Sequence, residues 1–338
     1  MAVEKASAVI ARAAGKIILS GEHAVVYGGP AVVSAVNRFA TATVENSGTE
    51  EIIFMLPDLG LRKVITLSEL YLLMEQLNQQ TPTLNRGVLT HPLELIEYTL
   101  AFLATKLTLV LDLGIKVRIT SNIPMSCGLG SSAAVIVSLL MALAQYFKVT
   151  VDLATYAVWG KEIEHLQHGQ SSGIDPFISL HRGCYLFENG QTIQQPMTSL
   201  PCQIVNSGAR DRAAYWCLDR AAAILAQPEV IQAFAKVTRN FIQAWQQSDN
   251  HALIKTVKTN HRLLNELGVI PNKVQQFIKE IEQLGGAAKI SGAGAVAGEV
   301  AGAILVFGVD SVSELIAAYG YEWLKVAMVN TEENVCIK

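Results

Sequence analysis

Pro124-Met125-Ser126-Cys127-Gly128-Leu129-Gly130-Ser131-Ser132-Ala133-Ala134 is the stretch on which the reading of this chain turns. Just before it, Ile115, Val117 and Ile119 alternate with polar neighbours, the period of a half-buried strand. Asn122-Ile123-Pro124 ends that strand, and from Ser131 an apolar helix follows. Glycines between the two permit positive φ and let backbone N–H groups approach a ligand. A helix N-terminus adds unpaired donors and a partial positive charge. Strand, Gly/Ser loop and helix together make an anion cradle, most often for phosphate. Ser131 and Ser132 add hydroxyls for phosphate oxygens or a metal. No Lys follows the second Gly, so this is not the G-x-x-x-x-G-K-[ST] loop, nor is it G-x-G-x-x-G. A glycine turn with Ser as the helix N-cap is the purely structural alternative.

Three other stretches carry polar density in apolar surroundings. In Gly15-Lys16-Ile17-Ile18-Leu19-Ser20-Gly21-Glu22-His23, the strand that follows can bury the stem of Lys16 while its ammonium seeks a carboxylate or a phosphate; a snorkelling surface lysine is the structural alternative. In Glu164 through Ser171-Ser172-Gly173-Ile174-Asp175, one acid follows a polar loop and is flanked by Ile174, Pro176, Phe177 and Ile178. That setting suits a catalytic or metal-binding acid. It also suits a cap on a helix beginning at Pro176. His165 and His168 read as surface and loop-packing residues, since a nucleotide-bound Mg²⁺ prefers oxygen ligands. Lys289-Ile290-Ser291-Gly292-Ala293-Gly294-Ala295-Val296-Ala297-Gly298 is a small-residue loop before the strand Ala303 to Phe307.

Composition bounds the rest. The 338 residues suggest roughly two domains. With 51% apolar and 16% charged residues the chain can build a large core and is not intrinsically disordered. A net charge of −3 signals no nucleic-acid surface. Mean hydropathy is positive at +0.32, but Ala133 to Ala144 is too short to span a bilayer, and Gly292 to Val309 is broken by glycines and Glu299. No membrane association and no signal-peptide core are expected. The cysteines, Cys127, Cys184, Cys202, Cys217 and Cys336, show no CxxC spacing and read as reduced thiols of a cytoplasmic protein.

Ile231, Phe234, Ala235, Thr238, Phe241, Ile242 and Trp245 share one helical face, with Pro228 in its first turn. The polar stretch from Glu188 to Pro196 separates the halves, so domains are expected at 1–188 and 189–338. Strands and helices mix without βαβ alternation, which points to α+β.

The four stretches, in this order, resemble the GHMP kinase family across nearly the whole chain. Pro124 to Ala134 matches its P-x-x-x-G-L-G-S-S-A-A loop. Gly15-Lys16 with Gly21 to Gly28 looks like the branch that phosphorylates mevalonate, and Asn260 with Leu263-Leu264 resembles the helix before the third motif. Three departures stand out: Ala14 replaces a usual Pro, Ala295 to Ala297 interrupt the third motif, and Gly208-Ala209-Arg210-Asp211-Arg212-Ala213 lacks a Thr near the substrate.

The resemblance implies a two-domain fold. An N-terminal domain like ribosomal protein S5 domain 2 would pack on a ferredoxin-like C-terminal domain, with ATP and a small alcohol meeting between them. It implies phosphate binding by Gly128, Leu129, Gly130, Ser131 and Ser132, and Mg²⁺ on Ser132 and Glu164. Asp175 and Lys16 would be catalytic, Asp175 taking or orienting the substrate hydroxyl proton. Glu22, His23 and Asp175 would lie at the acceptor, with His23 on a substrate carboxylate, and Gly292, Ala293 and Gly294 would form the third-motif loop. A homodimer is compatible with the family. The alternatives are another small-alcohol kinase (acting on a sugar, phosphomevalonate or homoserine), a decarboxylating relative, or a non-catalytic nucleotide-binding homologue.

Overall fold

A computed structural model describes residues 8–79, 89–168, 171–196, 200–210 and 214–330. The first half runs β1 (Ala8–Ser20), β2 (Ala31–Asn46), β3 (Glu51–Leu56), β4 (Leu61–Thr66), α1 (Leu67–Gln79), α2 (Pro92–Lys106) and β5 (Ile115–Ser121). Then come α3 (Ser131–Tyr146), α4 (Leu153–His168), α5 (Ile174–His181), β6 (Cys184–Glu188) and β7 (Gln191–Gln194). These strands form one sheet in the order β4-β3-β5-β2-β6-β7, with β1 also paired to β2. All pairings are antiparallel except β3 with β5.

The second half runs β8 (Cys202–Asn206), α6 (Ala214–Leu225), α7 (Pro228–Gln246), α8 (Asn250–Glu266), α9 (Asn272–Gln283), β9 (Ala287–Ile290), β10 (Ala303–Phe307), α10 (Ser313–Tyr319) and β11 (Glu322–Trp323). Its sheet is antiparallel, in the order β11-β8-β10-β9. The chain changes sheets between Gln194 and Cys202. Residues 188 and 189 lie at the turn of the β6–β7 hairpin, so β7 stays bonded to the first sheet. The fold is α+β.

Periodicity explains the elements. Val9, Ala11 and Ala13 alternate inward from exposed Ile10 and Arg12 on β1, and Ile115, Val117 and Ile119 do the same on β5. Helix α3 is apolar almost all round because it is buried from Ala133 to Tyr146, against β1, β2 and three helices. Helix α7 buries Phe234, Ala235, Thr238, Phe241 and Trp245, the face read from the sequence. Among the described residues no helix is long and apolar enough to cross a membrane, and Cys127, Cys184, Cys202 and Cys217 are unpaired thiols. Cys336 lies outside the described residues.

Candidate active site

The four stretches meet because glycines let their backbones touch. The β1–β2 register shifts between Ala14 and Gly15, and there β1 leans on the phosphate loop: the Lys16 N–H donates to Leu129 O at 2.9 Å. A Cβ on Gly15 would stand 2.9 Å from that same oxygen. Gly130 has φ +70, and a Cβ there would lie 2.8 Å from Lys16 Cγ. Gly128 has φ +80, and a Cβ would lie 2.6 Å from Ser291 O. The third loop is thus packed directly on the first. Gly292 and Gly294 are buried in this contact region, while Val296, Ala297 and Gly298 are exposed. The residues that interrupt the third motif therefore mostly stand on the outer side of the loop.

A cleft of about 630 Å³ opens along this junction, walled by Lys16, His23, Gly128 to Ser132, Asp175, Arg210, Gly292 and Ala293. An apolar extension is lined by Leu56, Leu59, Leu95, Ile119, Ile123 and Val135. Helix α3 starts at the cleft wall with Gly130 as a left-handed N-cap and no side-chain cap bond. Ser131 is therefore not the cap; it and Ser132 are the first two helical residues. The first-turn N–H groups of a helix have no intrahelical acceptor, and its dipole favours an anion there.

Lys16 Nζ lies 2.9 Å from Asp175 Oδ2. Asp175 is not a helix cap. Gly173, at φ +81, takes the N-cap position, which puts Asp175 inside the first turn of α5. Glu164 lies within α4, one turn before its end, and is buried. Its carboxylate accepts from the Ser171 hydroxyl, whose oxygen in turn accepts the Gly173 N–H at 3.0 Å. Burial, and then the neighbouring Asp175 charge, push Glu164 up to about 8. Among the described residues there is no cluster of three or more His, Cys, Asp and Glu. Ser132 lines the cleft, whereas Glu164 stands behind its wall, bonded to Ser171. Their hydroxyl and carboxylate are oxygen donors of the kind Mg²⁺ takes beside nucleotides, so the residue types fit such an ion.

Two substrate expectations change. Glu22 does not line the cleft; it is buried in an ion pair with Lys289 of β9. His23 does line it, but its Nε2 donates to Ala293 O at 3.0 Å, since a carbonyl only accepts. The buried Nδ1 is then a bare acceptor, and desolvation holds the ring down at about 4. Neither ring nitrogen therefore offers a free N–H to a substrate carboxylate. Arg210 joins Lys16 as a cation lining the cleft. Its Nε donates to Ser126 O at 2.9 Å and its Nη1 to Gly294 O at 3.1 Å. Nothing in the sequence around Arg210 marks it as a cleft residue, and residues 211–213 lie outside the described part. Asn260 also stands away from the cleft, donating to Ser20 Oγ at 3.0 Å.

Comparisons with known proteins show the family. The family model described as the GHMP kinases N terminal domain matches residues 94–183. The mevalonate kinase of Archaeoglobus fulgidus is 32% identical over 288 residues, covering 85% of this chain and 89% of that one. The chain belongs to the GHMP kinase family. The crystal structure of the Methanococcus jannaschii mevalonate kinase superposes with a TM-score of 0.76 at 22% identity, covering 95% of this GHMP kinase and 98% of that chain. Lactococcus lactis galactokinase, solved with galactose, superposes at 0.72 with 15% identity over 96% and 94% of the two chains. At those identities the superpositions speak for the family fold alone.

Proposed function

We propose that this protein transfers the γ-phosphoryl group of ATP to the 5-hydroxyl of mevalonate, releasing ADP and 5-phosphomevalonate. The observation that carries the reading is the Lys16–Asp175 contact of 2.9 Å on the same cleft wall as the N-terminus of α3. Phosphoryl transfer is mainly positioning and charge stabilisation. The loop from Gly128 to Ser132 holds the β- and γ-phosphates. Asp175 orients the acceptor hydroxyl and takes its proton as the bond to phosphorus forms. Lys16 holds Asp175 in place and offsets charge on the group in flight. Ser132 and Glu164 would hold Mg²⁺, which would offset the negative charge of the phosphates. The apolar extension accepts the base.

Arg210 supplies positive charge for an anionic acceptor, and a hydroxy acid such as mevalonate carries that anion. The relatives named mevalonate kinase, similar over 85% of the chain, support the same acceptor. Residues 1–188 and 189–338 act as two domains in this reading, the second bringing Arg210 and the third loop to the cradle of the first. ATP and a small alcohol are the partners, and the enzyme works in the cytoplasm.

The test is an acceptor panel of mevalonate, phosphomevalonate, homoserine and galactose with coupled detection of ADP. ADP is expected with mevalonate. If mevalonate yields none while another alcohol does, the acceptor assignment is wrong. Release of carbon dioxide would reveal a decarboxylating relative instead.

A further inference from the structure

Glu22 and Lys289 form an ion pair in which both side chains are 0% exposed. Such a pair is a poor device for stability. Desolvation of two charges is repaid only by good geometry and further hydrogen bonds, and an apolar pair of similar volume is often as stable. Here Lys289 gains one further bond, to Ile290 O at 2.9 Å, while Glu22 Oε2 is buried without a hydrogen-bond partner. Burial pushes Glu22 up and Lys289 down, against their mutual attraction.

What distinguishes the pair is its place. Strand β1 ends at Ser20, and the chain then turns through Gly21 at φ +94 to His23 at φ +58. A histidine with left-handed φ persists only where its surroundings hold it. Three contacts hold this segment to the strand and loop of the second sheet. Ser291 Oγ donates to Ile18 O and accepts from the Ile18 N–H, both at 3.0 Å. Glu22 meets Lys289, and His23 Nε2 meets Ala293 O. Ile18, His23 and Ala293 line the cleft; Glu22 and Lys289 stand behind it. Glu22 adjoins His23 in the chain, and Lys289 lies on the strand that delivers Ala293.

We propose that Glu22 and Lys289 are a positioning pair for acceptor binding. They fix His23 against Ala293, which commits Nε2 as the donor to that carbonyl and sets the position of these two lining residues on the acceptor side of the cleft. This rests on the reading of the cleft as an alcohol site.

The test is the double variant Glu22→Gln/Lys289→Met, which removes both charges together and leaves neither one buried alone. Kinetics are measured for mevalonate and ATP, and the His23 ring nitrogens are followed by ¹⁵N NMR in the ligand-free protein, assigned with His23→Gln. The KM for mevalonate is expected to rise about tenfold or more, with the KM for ATP and kcat within about threefold. The His23 nitrogens are expected to lose the fixed Nε2–H pattern. An unchanged KM with an unchanged tautomer overturns the proposal, and so does a uniform loss of all kinetic constants that merely tracks melting temperature. Should the double variant not fold, Glu22→Asp keeps both charges and shortens one arm. A rise in mevalonate KM of about threefold or more is then expected, and a wild-type value overturns the proposal. The NMR signal needs no substrate. A shifted tautomer in a protein that ignores mevalonate would sink the acceptor assignment and leave the positioning role standing.

Discussion

At the scale of single residues, function concentrates in Asp175 and its neighbours. Lys16 holds one oxygen of Asp175 at 2.9 Å, and Glu164 stands close enough for the Asp175 charge to raise it. Asp175→Asn keeps the size of the side chain and removes the proton acceptor. We expect kcat to fall by about 10²–10⁴, the usual range for a lost general base, while the KM for ATP stays near wild type. Steady-state kinetics decide it, and near-normal turnover would remove Asp175 from the chemistry. A second expectation concerns acid. Burial lowers His23 and His261 from 6.5 to about 4. Between those values the unfolded chain binds protons that the folded one refuses, so stability is full above about 6.5 and is lost as pH falls toward 4. The melting temperature of the free protein should drop across that window. His261→Gln should flatten the drop without altering the KM for either substrate, because His261 does not line the cleft.

At the scale of elements, the phosphate cradle is a junction of loops whose glycines stand where side chains cannot. Gly128 and Gly298 both have positive φ, at +80 and +84. Alanine at either pays the left-handed penalty of roughly 1–2 kcal/mol. Only at Gly128 would the new Cβ also meet backbone, 2.6 Å from Ser291 O; at Gly298 it meets nothing. Gly128→Ala should therefore destabilise by clearly more than Gly298→Ala in denaturant titrations, and raise the KM for ATP where Gly298→Ala does not. Equal costs would mean that the loop–loop contact is slack.

This contrast also shows what was legible in the chain. The strand, turn and helix around Gly128 are local, so alternation at Ile115, Val117 and Ile119 and the apolar run after Ser131 are enough to read them. Which loop fills the space beside Gly128 is set by residues more than 160 positions away, and no periodicity encodes that. Asp175 read equally well as a cap, because a left-handed Gly173 taking that position is a backbone event with no side-chain signature. Lys289 looked like any lysine before a small-residue loop. Its burial follows from Glu22 reaching it across 267 residues. The GHMP resemblance brings Lys16 and Asp175 together, whereas the bond of His23 Nε2 to Ala293 O spans 270 residues and has no local signature.

At the scale of the whole molecule, two of the fastenings between the second sheet and the first can be compared. One is the joint at Ile18, Glu22 and His23. The other follows β11, where the chain leaves the second sheet and lies along β2. Asn37 N–H donates to Ala327 O at 2.9 Å and Asn37 Oδ1 accepts the Ala327 N–H at 2.8 Å. Val329 N–H donates to Ala35 O at 3.0 Å, and Val329 is buried at 2% exposure. No residue of this strap lines the cleft. Val329→Ala should cost about 2 kcal/mol for the lost methyls and the cavity, without touching the KM for ATP. Removing residues 324–338 should cost more and lower kcat/KM for the acceptor, since one of the fastenings that hold Arg210 and the third loop to the first sheet is then gone. If the two fastenings share that work, their losses cannot be independent. Truncation combined with Glu22→Gln/Lys289→Met should reduce the denaturant midpoint and acceptor kcat/KM by more than the two effects summed, whereas distant, uncoupled sites add. Simple additivity would mean that the strap and the buried pair hold different things.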